Sequence, residues 1–445
     1  MIVTYRLNIF SNKQSLFFYF SFIIINSVPP MTSPSSKLVA PGLGLLQTHI
    51  DWDDMQRLCE SAFGTETTFG QNKSVTNISL GKGSCSRLAL INPDWQNQQN
   101  KNLPKEFVVK IPSIMNMIEV NAKKAEDGGS FWAMGEEVEN MWEKQCRKLL
   151  NTECTVYDMM KSTNSKNIKI PKIFATNPFK ETNDLKGNII MEFIRSDDFR
   201  IEDNLSFEEF KPILKSIAAI QAMGSKIDES VENAIPPSNE YEIFATIFPE
   251  ETKKNIIAQF YEMDSGSLPK NLIGKLAKII DRLLSHEYMK EIDNLSGIPK
   301  VFCHGDFWPS NILWKGHEVQ AIIDWQTSHF GALATDLCRF LPCAMSGRER
   351  REKLDDILST LHRYMVEEMG GKELYSLEQL KTSFDYMMPV KTFIALLTIQ
   401  LYFDFDREKL KPNNIEIVDR AKEKTLALLE DTIEIYEKIH GTIDI

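Results

Sequence analysis

The stretch from residue 301 to residue 314, VFCHGDFWPSNILW, places polar residues that could do chemistry between two apolar runs. Asp306 and Asn311 are five positions apart, and Asp324 follows thirteen positions later, at the end of the apolar run AIID. Taken singly, each is more typical of a turn or a strand end, because Asp and Asn favour turns. Taken together, in this order and between strand-like runs, they favour a reaction centre.

The order Asp, Asn, Asp suits magnesium-dependent phosphoryl transfer. The transition state spreads charge over phosphoryl oxygens, so catalysis needs metal-held positioning and a group beside the attacking hydroxyl. Magnesium prefers hard oxygen ligands and usually takes only one or two carboxylates. We therefore predict that Asn311 and Asp324 are the magnesium ligands, and that Asp306 orients the acceptor hydroxyl and takes its proton.

A cover for the nucleotide phosphates is predicted at LGKGSCS, residues 80–86. Gly81 and Gly83 allow close backbone approach, and Ser84 follows them. The match to G-x-G-x-x-G is partial because Ser86 stands at its third glycine, and no Lys-Ser/Thr pair makes it a Walker A sequence. An ordinary hairpin turn is the alternative interpretation.

The nucleotide also needs a lysine, an acid and a hinge. Lys110 ends the apolar strand FVVK and is predicted to hold phosphates, although an exposed strand-end lysine is the simpler interpretation. Glu153 is our choice for the acid that orients Lys110, ahead of four competitors on the same helical stretch: Glu136, Glu137, Glu139 and Glu143. The backbone at Met191, Glu192 and Phe193 is predicted to pair with adenine.

Bulk properties limit the class of protein. A chain of 445 residues is long for one small core and indicates two domains or one large two-lobed domain. A formal net charge of −11 argues against broad binding to nucleic acid, which needs a cationic face. The seven cysteines lack zinc-ligand spacing and are typical of reduced, buried thiols, so we assign Cys303 to packing.

The N-terminus carries an apolar segment, SLFFYFSFIIINSV, at residues 15–28. It is shorter than the about 18–20 apolar residues that a spanning helix needs. A secretory signal, a membrane anchor and an upstream extension before a start at Met31 are the alternatives, and we favour the extension over residues 1–30. We accordingly expect a cytoplasmic protein without stable membrane insertion.

Periodicity predicts the elements that must position these residues. In the first half we expect a helix over 48–64, capped by Asp51 and stopped by Gly64, and a longer helix over 131–161, with an interruption near Asn151 left open. Strands are expected over four stretches: the hairpin 74–92, then 106–113, 170–176 and 187–194. After a capping box at Ser206 and Glu209 the pattern is mainly helical, over 252–264, 271–290, 349–369, 376–403 and 415–440.

Three motifs resemble the CHK-kinase-like, or ecdysteroid-kinase-like, family of the choline kinase and aminoglycoside phosphotransferase superfamily. They are HGDFWPSNIL (304–313), IIDWQ (322–326) and ATDLCRF (334–340), and THIDW near residue 50 adds to the likeness to a nematode-type branch. The resemblance covers roughly residues 45–430. It implies an α+β, two-lobed, protein-kinase-like fold, with a small antiparallel-sheet lobe over 31–194 for the nucleotide and a mainly helical lobe over 195–445 for the acceptor.

The same resemblance implies ATP and Mg²⁺ as cofactors and a small-molecule hydroxyl as acceptor. His304 would brace the catalytic loop, and Asp336 would support that loop or the helix that follows. Ser86 departs from the last glycine of the loop, and Gln221 stands where many relatives have histidine, which we interpret as a packing position. Neither departure removes a required group.

Three hypotheses compete. The first is a kinase that acts on a small-molecule alcohol, choline-like, steroid-like or xenobiotic. The second is a catalytically silent nucleotide-binding module with a regulatory role. The third, a protein kinase, is disfavoured because His-Gly-Asp replaces His-Arg-Asp and no Ala-Pro-Glu segment follows. The acceptor and the oligomeric state are not indicated by the sequence.

Overall fold

The computed structural model describes most of the chain with interruptions. Described are residues 38, 40–64, 66–79, 85–96, 103–116, 136–161, 165–199, 203–238, 250–403 and 415–444. The N-terminal extension over 1–30 and the predicted phosphate cover at Gly81, Gly83 and Ser84 lie outside these ranges.

The first helix, α1 (Trp52–Phe63), begins and ends where the sequence predicts. Asp51 and Asp54 form a reciprocal capping box, with Asp54 N donating to Asp51 Oδ1 at 2.8 Å and Asp51 N donating to Asp54 Oδ2 at 3.1 Å. Gly64 ends the helix in the left-handed region, at φ 57°. These local signals sufficed to set both boundaries.

Five strands form one sheet in the order β1-β2-β3-β5-β4. The strands are β1 (Ser74–Asn77), β2 (Ser86–Asn92), β3 (Phe107–Pro112), β4 (Ile173–Asn177) and β5 (Asn188–Glu192). β1 pairs antiparallel with β2, and β2 pairs antiparallel with β3 in a register that sets Leu88 opposite Lys110. The predicted hairpin and single strands are therefore confirmed.

Helix α2 (Glu136–Met160) runs 25 residues without the interruption left open near Asn151. The Asn151 amide bonds the backbone of Phe179, accepting from its N–H at 2.8 Å and donating to its carbonyl at 3.2 Å. Asn is unfavourable inside a helix when its side chain competes for the local backbone. Here that side chain is engaged elsewhere, and the helix continues through Asn151.

The rest of the chain is mainly helical, as predicted, although two of the predicted helices are each split. The helices are α3 (Phe207–Gly224), α4 (Glu229–Ala234), α5 (Glu250–Gly266), α6 (Lys270–Leu283), α7 (His286–Asp293), α8 (Thr335–Ala344), α9 (Gly347–Glu352), α10 (Leu354–Glu368), α11 (Leu377–Phe403) and α12 (Ile415–His440). The pattern over 271–290 divides because Ser285 accepts from the N–H of Tyr288 and starts a new helix. The pattern over 349–369 divides at Lys353.

Four short strands interrupt this helical part and carry the predicted reaction centre. β6 (Val301–Cys303) pairs with β9 (His329–Gly331), and β7 (Ile312–Lys315) forms a hairpin with β8 (Glu318–Ile322). The loops that follow β6 and β8 hold the residues of the candidate site.

The chain divides into two compact units, which confirms the α+β, two-lobed organisation. Unit 1 comprises Met1–Cys146 and Thr182–Ile190, and unit 2 comprises Arg147–Glu181 and Met191–Ile445. Strands β1–β3 lie in unit 1, whereas β4 and all helices from α3 onward lie in unit 2. Among helices in the described ranges, none is both long and apolar enough to cross a lipid bilayer.

Candidate active site

The loop after β6 is fixed by its backbone. Gly305 has φ +88°, and a Cβ built there would lie 2.2 Å from the carbonyl oxygen of Thr327. Only glycine combines this backbone conformation with so close an approach. Position 305 therefore allows the loop after β6 to lie directly against the loop after β8.

Asp336, in the first turn of α8, accepts from this loop. Its Oδ2 lies 2.8 Å from the backbone N of His304, and its Oδ1 lies 3.0 Å from the backbone N of Gly305. Burial raises the pKa of Asp336, whereas His304 and the two N–H donors lower it. The carboxylate thus satisfies two buried backbone donors and holds the turn that presents Asp306.

Asp306 and Asn311 contact each other directly. The Asn311 amide nitrogen donates to the Asp306 backbone oxygen at 2.8 Å and to Asp306 Oδ2 at 3.1 Å. A short 3₁₀ turn, Pro309–Asn311, brings Asn311 back toward Asp306. The five-residue spacing seen in the sequence therefore corresponds to one closed polar loop.

Asp324 lies beside this loop because of the β7–β8 register. Ile312 stands opposite Ile322, and the N–H of Ile323 donates to the carbonyl of Asn311 at 3.0 Å. Asp324 follows at once, in the left-handed region with φ 68°, and directly precedes a 3₁₀ turn over Trp325–Thr327. A positive φ is uncommon in residues other than glycine, so the backbone at Asp324 has an unusual conformation.

His304 joins the loop after β6 to the loop after β8. Its Nε2 lies 2.9 Å from the carbonyl of Ile323, its own carbonyl accepts from Thr327 Oγ1 at 3.2 Å, and its ring centroid lies 4.5 Å from that of Trp325. The side chain is fully buried. Its contacts are those of a brace between residues 304–306 and 323–327.

Glu153 and Tyr157 lie one turn apart on α2, and both are fully buried. Burial raises the pKa of Tyr157, and the carboxylates of Glu153 and Asp324 raise it further. Tyr157 is therefore near both acids. Of the competing acids, Glu143 is half-buried, and the side chains of Glu136, Glu137 and Glu139 lie outside the described residues.

The other residues that are predicted to bind the nucleotide are Lys110 and the stretch from Met191 to Phe193. Lys110 is buried in β3, with 6% of its surface exposed. Met191 is buried at the end of β5, Glu192 is exposed with its Oε2 3.1 Å from the N of Lys172, and Phe193 is half-buried. Lys110 belongs to unit 1, and Glu153 and Met191–Phe193 belong to unit 2.

Arg339 is a site residue that the sequence patterns did not single out. Its Nε donates to Asp306 Oδ1 at 2.8 Å, and only 5% of its side chain is exposed. The available signal was its spacing, because Arg339 follows Asp336 by three positions in ATDLCRF and so shares its helix face.

Two residues assigned to packing are buried. Cys303 is in β6 with 1% of its surface exposed, and burial raises the pKa of its thiol well above the ordinary value. Gln221 donates to the carbonyl of Leu333 at 2.8 Å and accepts from the Tyr375 hydroxyl. All seven cysteines of the chain are buried thiols.

The oxygen donors at this site fit magnesium. Because the Asn311 amide nitrogen is directed at Asp306, its Oδ1 is directed away from Asp306. The Asn311 amide oxygen and the Asp324 carboxylate are both hard oxygen donors, the kind that magnesium prefers, and two such donors would leave positions for water and phosphate oxygens. Within the described ranges, no group of three or more His, Cys, Asp or Glu side chains could hold a metal ion.

A protein-family model matches most of the chain. The model of a family described as "DUF1679: Uncharacterized oxidoreductase dhs-27" matches residues 38–440.

Individual relatives are more distant. An "Uncharacterized kinase-like protein D1044.1" of Caenorhabditis elegans is 25% identical over 143 residues, which span 30% of this chain and 38% of that protein. The solved structure of choline kinase from Cryptosporidium parvum has 12% identity and a TM-score of 0.44, covering 87% of this chain and 97% of its own. That of ethanolamine kinase from Plasmodium vivax has 13% identity and a TM-score of 0.39, covering 83% and 84% respectively.

Proposed function

The chain belongs to the DUF1679 family, and we propose that it is an ATP- and Mg²⁺-dependent phosphotransferase that phosphorylates a hydroxyl group of a small molecule. The observation that supports this most directly is the closed loop in which Asn311 donates to both the carboxylate and the backbone of Asp306. The Asp324 loop, bonded to it through Ile323 and His304, adds the second proposed metal ligand. The CHK-kinase-like, nematode-type assignment is part of the same proposal.

In this proposal Asp306 accepts the proton of the acceptor hydroxyl as the oxygen attacks the γ-phosphorus and ADP departs. The Asp306 side chain is 24% exposed, so it is accessible to an acceptor while its two oxygens are held by protein donors. Asn311 and Asp324 would hold Mg²⁺ through their side-chain oxygens. Bound Mg²⁺ would neutralise charge that develops on the phosphoryl oxygens.

The proposed function includes binding sites for the parts of ATP. Lys110 would hold ATP phosphates, and Glu153 would orient that lysine. The backbone at 191–193 would pair with adenine, and the segment with Gly81, Gly83 and Ser84 would cover the phosphates. The lobe assignment, 31–194 for the nucleotide and 195–445 for the acceptor, belongs to the same proposal.

The word oxidoreductase in the family description suggests a different chemistry. A dinucleotide-dependent oxidoreductase of the Rossmann type binds its cofactor at a parallel sheet with helical crossovers. The strand pairs β1–β2 and β2–β3 are antiparallel. The antiparallel pairing of these strands argues against a Rossmann-type dinucleotide site on them.

The test is metabolite profiling with the purified protein and ATP labelled in its γ-phosphate. We expect transfer of label to a small molecule, dependent on Mg²⁺. Asp306→Asn should lower turnover by roughly 10²–10⁴-fold, the range for a positioned acid–base group. Asp228→Asn is the matched control, because Asp228 is exposed and makes no capping hydrogen bond.

Other outcomes would point elsewhere. Stabilisation by Mg·ATP in a thermal shift, without label transfer to any metabolite, would favour the silent nucleotide-binding module. Stabilisation by NAD(P)H but not by Mg·ATP would contradict the proposal. Full activity of Asp306→Asn would remove Asp306 from the assigned role.

A further inference from the structure

Arg339 makes a direct, largely buried contact with the proposed catalytic base. Its Nε lies 2.8 Å from Asp306 Oδ1, and 5% of the Arg339 side chain is exposed against 24% of Asp306. The arginine is thus at the buried side of the pair. Asp306 keeps 24% of its side chain exposed, which leaves it accessible to an acceptor.

The guanidinium is held in orientation by further neighbours. Its central carbon lies 4.7 Å from the centroid of the Trp308 ring, which is within the range of a cation–π contact. Its Nη1 lies 3.9 Å from Cys343 Sγ, one helical turn further along α8. A planar guanidinium stacked in this way directs its Nε in one direction, a geometry that the point charge of lysine does not reproduce.

Helix α8 therefore holds the catalytic loop at two points, one on its backbone and one on the Asp306 side chain. Asp336 fixes the backbone N–H groups of residues 304 and 305, and Arg339, three positions later, fixes the carboxylate of Asp306. Asn311 bonds the other carboxylate oxygen. With both oxygens engaged, rotation of the Asp306 side chain would break hydrogen bonds on both sides.

We infer that Arg339 is a positioning residue for phosphoryl transfer, acting through Asp306 rather than on the substrate. The inference rests on the proposed function. A purely structural ion pair would contribute to folding and leave catalysis unchanged in the folded enzyme. A positioning residue would change turnover while ATP binding stays the same, because misplacement of a reacting group by about 1 Å can cost on the order of 10²-fold in rate.

The chain offers a matched control. Arg350 and Asp431 form a second buried ion pair in unit 2, with side-chain exposures of 3% and 8%, and it joins α9 to α12. We would compare Arg339→Lys with Arg350→Lys, each assayed below its own Tm. We expect Arg339→Lys to lower kcat by roughly 10–100-fold with KM for ATP unchanged, and Arg350→Lys to lower Tm while kcat stays the same.

Chemical rescue provides a second readout. In Arg339→Ala, added guanidinium ion at low millimolar concentration should restore part of the lost turnover, and it should not restore turnover in Asp306→Asn. Turnover is measured with γ-labelled ATP and the metabolite extract used to find the acceptor.

The outcomes separate the two proposals. If the wild-type protein transfers no label, the proposed function fails and the role of Arg339 falls with it. If the wild type transfers label and the folded Arg339 variants keep its kcat, or lose no more than Arg350→Lys, the positioning role alone is wrong.

Discussion

Asp306 is held by its surroundings before any substrate arrives. Arg339 donates to one carboxylate oxygen and Asn311 to the other, while Asp336 fixes the backbone just ahead of it. Side chains that are already held in place need no rearrangement during the reaction. In phosphoryl transfer, positioning of this kind is a large part of what the protein contributes. At the scale of single residues, the candidate site is defined by the contacts that hold Asp306 as much as by Asp306 itself.

Gly305 gives a prediction at this scale. Gly305→Ala would place a Cβ 2.2 Å from the Thr327 carbonyl oxygen, in addition to the strain of φ +88°. We expect a loss of about 2–5 kcal/mol in the free energy of unfolding, from left-handed strain plus overpacking, together with loss of phosphotransfer. Denaturant unfolding and the labelled-ATP assay measure the two effects.

Gly371 is the control for Gly305, because it has φ +93° and a Cβ added there would meet nothing within 4 Å. Gly371→Ala should carry the strain alone, about 1–2 kcal/mol. Equal losses for the two variants would mean that the contact between residues 305 and 327 does not matter for stability.

At the scale of elements, several helices begin or end at the capping residues that the sequence predicts. Asp51, Gly64 and Ser206 marked helix ends correctly. The division inside 271–290 was missed because the apolar period continues through it, and the Ser285 cap differs little from an ordinary helical serine in sequence. The continuity of α2 at Asn151 could not be predicted, because it depends on a contact with Phe179, 28 positions away.

The candidate site shows the same limit. The order of Asp306, Asn311 and Asp324 was visible in the sequence, and so was Asp336. The ion pair of Arg339 with Asp306 spans 33 positions and depends on how α8 packs against the loop. Local pattern does not determine such packing, so the spacing of Arg339 from Asp336 could suggest a shared helix face, and its contact with Asp306 came only from the structure.

The end of α12 gives a prediction about pH. His440 Nε2 lies 2.9 Å from the Tyr288 hydroxyl of α7, and its ring also contacts Tyr436 and Tyr386. Burial lowers the pKa of His440 from its ordinary value of 6.5, and the nearby Arg282 lowers it further. The folded state thus disfavours the proton, so the contribution of His440 to stability is present above pH 6.5 and is lost as pH falls through the lowered pKa.

We therefore expect wild type to exceed His440→Gln in Tm by more at about pH 8 than at about pH 5.5. Differential scanning calorimetry of both proteins across this range measures the difference. If the Tm difference stays constant with pH, protonation of His440 is not coupled to folding in this pH range.

At the scale of the whole molecule, the two compact units both contain buried cysteines. Cys59, Cys85 and Cys146 are in unit 1, and Cys154, Cys303, Cys338 and Cys343 are in unit 2. Burial raises the pKa of Cys59 to about 12, and it raises the pKa of Cys338 well above the ordinary value. Alkylation requires an accessible thiolate, so these positions react only when the surrounding structure opens.

The rate at which the buried thiols are alkylated therefore reports how much of the protein is unfolded. In a timed iodoacetamide pulse at increasing denaturant, followed by peptide mass spectrometry, we expect the native protein to be labelled far more slowly than the denatured one. Cysteines of the same unit should gain label together, which would report the opening free energy of each unit from a single unmodified sample. Rapid labelling of Cys303 without denaturant would contradict this, and would mean that β6 opens on its own.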